Sequence, residues 1–183
     1  MFDLDEFVAK CQAALHTPDT TTRIEALVRD AVADPKAVRS AFDARVTGSS
    51  ISDRAVYRSE ELTVLDVSTP VGMKTPVHNH NMWAVIGVYD GEEQNMFFKE
   101  VDGKPEANGE RLLRTGDIAV LDEKTIHAIS NPLARRSYAI HVYGGDLVNR
   151  QGRSMWNPTT KVREPYDIKQ LSTYTREMME TSA

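Results

Sequence analysis

His78-Asn79-His80 places two imidazoles one residue apart, between a glycine- and proline-bearing turn and an apolar run. On extended backbone, side chains alternate with a period of two, so both rings project to the same side. Both can then reach one ion at the roughly 2.0–2.2 Å that imidazole–metal bonds require. The chemistry open to this pair is metal ligation. The lone cysteine, Cys11, offers less: it shares a helical apolar stripe with Phe7, Val8 and Leu15 and reads as a small buried hydrophobe. It cannot form an intramolecular disulfide, which suits a reducing compartment.

The elements that position the histidines follow from periodicity. Phe2, Leu4, Phe7, Val8, Cys11 and Leu15 recur at helical steps. A second helix is expected after an Asp19 or Thr20 cap, with Ile24, Leu27, Val28 and Val32 on its apolar face. A third starts at Asp34-Pro35 and carries Val38 and Phe42. These helices are expected as a lid or flank on the main body. From about residue 51, short runs rich in Val, Ile, Thr and Tyr alternate with turns. The clearest strands are 62–67, 83–89, 95–101, 118–121, 126–130 and 138–143. Turn chemistry sits at Asp90-Gly91, Asp102-Gly103, Asn108-Gly109, Gly116-Asp117 and Asn131-Pro132. Many short strands without intervening helices predict an antiparallel jelly-roll or barrel.

The 183 residues are expected to form one domain: a helical segment over 1–50, a barrel over 51–163, and a strap or short helix over 164–183. Net charge is −5 and Lys and Arg are scattered, which excludes a nucleic-acid footprint or an anionic membrane surface as the expected partner. No apolar run approaches the ~20 residues that span a bilayer. The N-terminus, MFDLDEF, is acidic where a signal peptide would be basic, so a cytoplasmic location is expected.

Two segments resemble the signature motifs of the cupins, jelly-roll (double-stranded β-helix) barrels that usually hold a metal. Gly72, His78, His80 and Gly91 keep the spacing of the first motif, with Ala84 in place of its usual Glu. Gly116, His127 and Asn131 keep that of the second, without the Pro and Gly of its turn. The resemblance implies His127 as a third ligand from a facing hairpin. Without the carboxylate, three neutral nitrogens leave up to three positions open on a six-coordinate ion, as a catalytic site requires.

The segment from Thr75 to Val88 resembles the Pro-Val-His-Asp-His-x-x-Trp-Gly-Val-Val-Gly stretch of bacterial thiol dioxygenases, in the cysteine dioxygenase family. Ser137 to Gly145 resembles that family's Ser-x-His-x-Tyr strand. The resemblance implies Fe(II) on His78, His80 and His127, with His141 orienting the Tyr143 hydroxyl towards substrate or dioxygen. It implies a substrate pocket that includes Trp83, with the substrate carboxylate on Arg153 or Arg58. The planar guanidinium fork suits that task. The implied reaction takes O2 and a small thiol, such as cysteine or 3-mercaptopropionate, to a sulfinic acid, in a monomer or homodimer. The chain departs from the pattern at Asn79 (usually Asp), at Ala84 (Gly in the bacterial segment), at Ala139 (the relay Ser), and in a short hairpin between Arg58 and Leu62. Two other readings stay open: a three-His cupin dioxygenase acting on a non-thiol substrate, and a metal-bearing binding module without turnover.

Overall fold

The computed structural model describes residues 2–181; Met1, Ser182 and Ala183, at the ends of the first and last expected segments, lie outside the described residues. The chain runs α1 (Leu4–Ala14), α2 (Thr20–Val32), α3 (Pro35–Asp43), α4 (Ile51–Arg54), then β1 (Ala55–Arg58), β2 (Thr63–Thr69), β3 (His78–Asn79), β4 (Ala84–Asp90) and β5 (Glu92–Val101). It continues with β6 (Lys104–Arg114), β7 (Ile118–Leu121), β8 (Ile126–Ser130), β9 (Ser137–Tyr143), β10 (Ser154–Trp156), β11 (Arg163–Pro165) and α5 (Ile168–Glu180). No helix among the described residues is long and apolar enough to cross a membrane.

Two antiparallel sheets, ordered β1-β2-β9-β4-β7 and β11-β10-β3-β8-β5-β6, face each other as the expected jelly-roll, a double-stranded β-helix. Alternation along each strand sorts residues between two clusters. In β2, β4 and β9, Leu65, Ile86, Ala139 and Tyr143 turn into the barrel. Val64, Val85, Ile140 and Val142 turn outward and are covered by the N-terminal helices. Those helices are therefore a flank on the outer face of one sheet, and not a lid.

Local chemistry explains the helix starts. The Asp3 and Asp34 carboxylates accept the backbone N–H of Glu6 and Ala37, at 2.9 and 3.1 Å, and Pro35 opens α3. Cys11 is fully buried in the helical cluster, and burial pushes its thiol up to about 12, which makes it inert.

Gly87 lets α2 sit close against β4. A Cβ there would stand 2.4 Å from Val28 Cγ1 and 2.9 Å from Val32 Cγ1. Both neighbours are stiff β-branched side chains in the core, so the helix itself would have to move. Gly87→Ala is expected to destabilise by about 1–3 kcal/mol, roughly 3–10 °C in Tm for a chain of this size. A urea or thermal melt that matched wild type would remove this account of helix docking.

One expected turn is absent. Asn108-Gly109 lies within β6, where the pairing with β5 slips between Met96 and Phe98 and Gly109 takes φ +108°. That is a bulge, which uses the same left-handed glycine conformation as a hairpin turn. The reversal occurs at Asp102-Gly103 instead, both at positive φ. At the C-terminus the expected strap or helix is a helix, capped by Asp167 on the Gln170 N–H at 2.8 Å. None of its side chains is buried.

Candidate metal centre

His78 and His127 are directly paired across β3 and β8, so their side chains share the inner face of the second sheet. His80 follows on the same strand path. The three ring centroids stand 5.0, 4.9 and 4.9 Å apart, nearly an equilateral triangle. One nitrogen from each lies within 4.8 Å of the others, and all three residues are buried. His78 Nε2 and His80 Nε2 are 3.2 Å apart. Donors about 2.1 Å from one ion at right angles would be ~3 Å apart, so the spacing fits. No Asp, Glu or Cys joins the group among the described residues.

Neighbouring acceptors fix which nitrogen faces the centre. His78 Nδ1 donates to the Pro76 carbonyl at 3.0 Å, and His127 Nδ1 to Asn95 Oδ1 at 2.9 Å. Each Nε2 is left as a lone pair directed inward. His127 Nε2 is buried with no hydrogen-bond partner. Burial holds all three imidazoles in the neutral form, His78 down to about 4 and the others well below their ordinary value. A buried acceptor without a donor is costly, and a cation is the partner this arrangement fits.

Asn95 belongs to a buried chain that leads to the expected Tyr–His pair. Its Nδ2 donates to Glu93 Oε1 at 2.9 Å, and Glu93 Oε2 accepts from His141 Nε2 at 3.3 Å. His141 Nδ1 then meets the Tyr143 hydroxyl at 2.9 Å. Tyr143 packs edge-on to His80, with centroids 5.1 Å apart, and burial pushes its phenol above the ordinary value, so it stays protonated. Sequence reasoning missed Glu93 and Asn95. The signal was alternation: Glu93, Asn95 and Phe97 face inward on β5, but the strand was expected to begin at Asn95. Glu93 supplies the partner for His141 Nε2.

The two candidate arginines separate. Arg58 is not in the cavity; it lies outside on the edge strand β1, held by both oxygens of Asp146 at 2.6 and 2.9 Å. Arg153 is 6% exposed and lines the same cavity as His78, His80 and Tyr143. Its Nε and Nη1 donate to the carbonyls of Asn79 and Leu147, and its guanidinium lies 3.5 Å over the Tyr166 ring. Among the described residues no carboxylate pairs with it. Asn79 gains a structural role from this: its Oδ1 accepts the Ser154 N–H at 2.7 Å, and its carbonyl anchors Arg153.

Trp83 is also outside this cavity. It precedes β4 in the outward register and rests on Gly144, where a Cβ would lie 2.2 Å from its ring. It lines a separate surface depression with Phe97 and Arg111.

No family model matches the chain. Among solved structures it is similar to a conserved protein with a double-stranded β-helix domain from Klebsiella pneumoniae, at 18% identity over 62% of this chain and 87% of that one, TM-score 0.48. It is similar to oxalate decarboxylase from Bacillus subtilis, studied for its Mn(II) centres, at 16% identity over 53% of this chain and 24% of that one, TM-score 0.43. A third is peruvianin-I, a cysteine peptidase from Thevetia peruviana latex, at 15% identity over 46% and 51%, TM-score 0.40. The chain thus spans about a quarter of the decarboxylase and half of peruvianin-I. The barrel stands on its own strand order, and no activity is carried over from these likenesses.

Proposed function

We propose that the protein is a non-haem Fe(II) dioxygenase that converts a carboxylate-bearing thiol to its sulfinic acid. The observation that carries the reading is the conjunction of a three-histidine face and a buried, unpaired Arg153 on one cavity. His78, His80 and His127 would hold the iron, which supplies the redox chemistry joining thiolate and dioxygen. Overall, R–S⁻ and O2 give R–SO2⁻: both oxygen atoms end on sulfur, which loses the four electrons that dioxygen gains, so no outside reductant enters.

The chain's own groups do the rest. Arg153, anchored by two carbonyls and stacked on Tyr166, offers its remaining N–H groups to a carboxylate. A buried guanidinium without a counter-charge is costly, and an anionic substrate relieves that cost. Tyr143 lines the cavity, with the orientation of its phenol set by His141 and, behind it, Glu93.

The test is oxygen uptake and sulfinate formation by iron-loaded protein with 3-mercaptopropionate, cysteine and cysteamine. The two carboxylates are expected to turn over and cysteamine to lag at least tenfold. Arg153→Met is expected to raise KM for the carboxylates by about 10–100-fold, the ~1.5–3 kcal/mol of a charge-assisted bond. Absence of oxygen uptake with every thiol would leave the non-thiol dioxygenase or the binding module as the better reading.

A further inference from the structure

The cavity that meets the triad encloses about 580 Å³. That volume lies in the ~300–1,000 Å³ range that buries a drug-sized ligand and far exceeds what a three-carbon thiol fills. One end is polar, with His78, His80, Tyr143 and Arg153. The body is mainly apolar: Leu65, Val67, Met73 and Ile129 line it from the two sheets, with the Arg54–Asp66 ion pair at its edge.

Helix α5 covers the same space. Ile168, Leu171, Thr175 and Met179 line the cavity at steps of three and four, so they form one helical face, flanked on the same lining by Ser172, Arg176 and Glu180. The helix begins just after Tyr166, which stacks on Arg153, and Met179 lies eleven residues beyond Ile168. At 1.5 Å per residue, the apolar face extends about 16 Å away from the arginine end. Only two buried side-chain polar atoms of the described residues have no hydrogen-bond partner: His127 Nε2 in the triad and Thr175 Oγ1 on this face. An amphipathic helix whose apolar face covers an open volume needs an occupant for that volume.

We infer that the site takes amphipathic carboxylates, with the head group on Arg153 and an extended apolar body under α5, in preference to small polar thiols. The identity of the reacting group, a thiol near the head, rests on the function proposed above; the head-and-tail geometry does not.

Sulfur-free probes separate the two. Binding of butyrate, hexanoate and octanoate to the anaerobic iron-loaded protein is measured by titration calorimetry. Affinity is expected to rise by up to about fourfold per added methylene and at least tenfold from butyrate to octanoate. Octan-1-ol is expected to bind at least tenfold more weakly than octanoate. Met179→Asp, on a helix with no residue in the core, is expected to weaken octanoate about tenfold and leave butyrate unchanged. Affinity independent of chain length, or octanol binding as tightly as octanoate, would overturn the inference even if 3-mercaptopropionate were oxidised. A clear chain-length dependence would sustain it even if no thiol were consumed.

Discussion

His127→Ala is expected to lose stoichiometric metal and, with it, all metal-dependent activity, while the barrel still folds. The substitution removes one of three nitrogens at a centre that no carboxylate joins among the described residues. His127 is also flanked on both sides within the sheet, paired with His78 and with Phe97. Folding should survive because the metal-free ring leaves Nε2 buried without a partner, and its removal relieves that penalty. The change strands Asn95 Oδ1, which offsets part of the gain. What disappears is linkage: a ligand present at a thousandfold its Kd adds about 4 kcal/mol to stability, and the variant should show no such gain in Tm on adding Fe(II) or Zn(II). His141→Ala is the control. It contacts Glu93 and Tyr143 and is not part of the triad, so metal content should stay stoichiometric. Full metal occupancy in His127→Ala would show that the triad is not the binding centre.

The barrel and the first two histidines of the triad are written in spacing, whereas His127 is implied by the resemblance to the second cupin motif. Two-residue alternation fixes which side of a strand a histidine faces, and His78 and His80 needed no further information. The helices were legible from apolar periodicity and, at Asp34-Pro35, from capping chemistry; Asp19 stands at the N-cap of α2 but makes no side-chain cap bond. What spacing does not encode is which face of a strand is inside when both faces are buried. Trp83 and Ala84 are neighbours on one path, and the tryptophan falls in the outer cluster against Gly144 while Ala84 faces the barrel. Arg58 and Arg153 posed the same problem. Each could reach a pocket in sequence terms, and the deciding fact was Asp146, 88 residues from Arg58, which holds that guanidinium outside. Glycine chemistry misled at Gly109, because bulge and turn ask for the same φ. The role of Asn79 was also hidden: its partners, Ser154 and Arg153, are more than seventy residues away.

Glu93→Gln is the substitution whose effect should most exceed its size. Glu93 accepts on both oxygens, from Asn95 Nδ2 and from His141 Nε2. That polarity propagates in two directions. Towards the triad, it turns the Asn95 carbonyl oxygen to His127, which holds the proton on Nδ1 and frees Nε2. Towards the cavity, Glu93 accepts the His141 Nε2 proton and so orients the ring whose Nδ1 meets the Tyr143 hydroxyl. A glutamine amide has one oxygen and one NH2, and cannot accept at both ends. If its NH2 faces His141, the imidazole must change tautomer and the Tyr143 hydrogen bond reverses. If its NH2 faces Asn95, the asparagine must turn over and present NH2 to His127, which drives the proton to Nε2 and blocks ligation. Either orientation damages one arm. Loss of such supporting hydrogen bonds typically costs 10–100-fold in metal affinity or activity, and the mismatch left in a buried network costs ~1–3 kcal/mol of stability. Metal content, turnover and Tm together distinguish the arms: low metal marks the Asn95 side, whereas full metal with low turnover and an altered pH profile marks the His141 side. Wild-type values for metal, turnover and pH profile would mean that the buried carboxylate does not govern either proton, and that Tyr143 and His127 are oriented by packing alone.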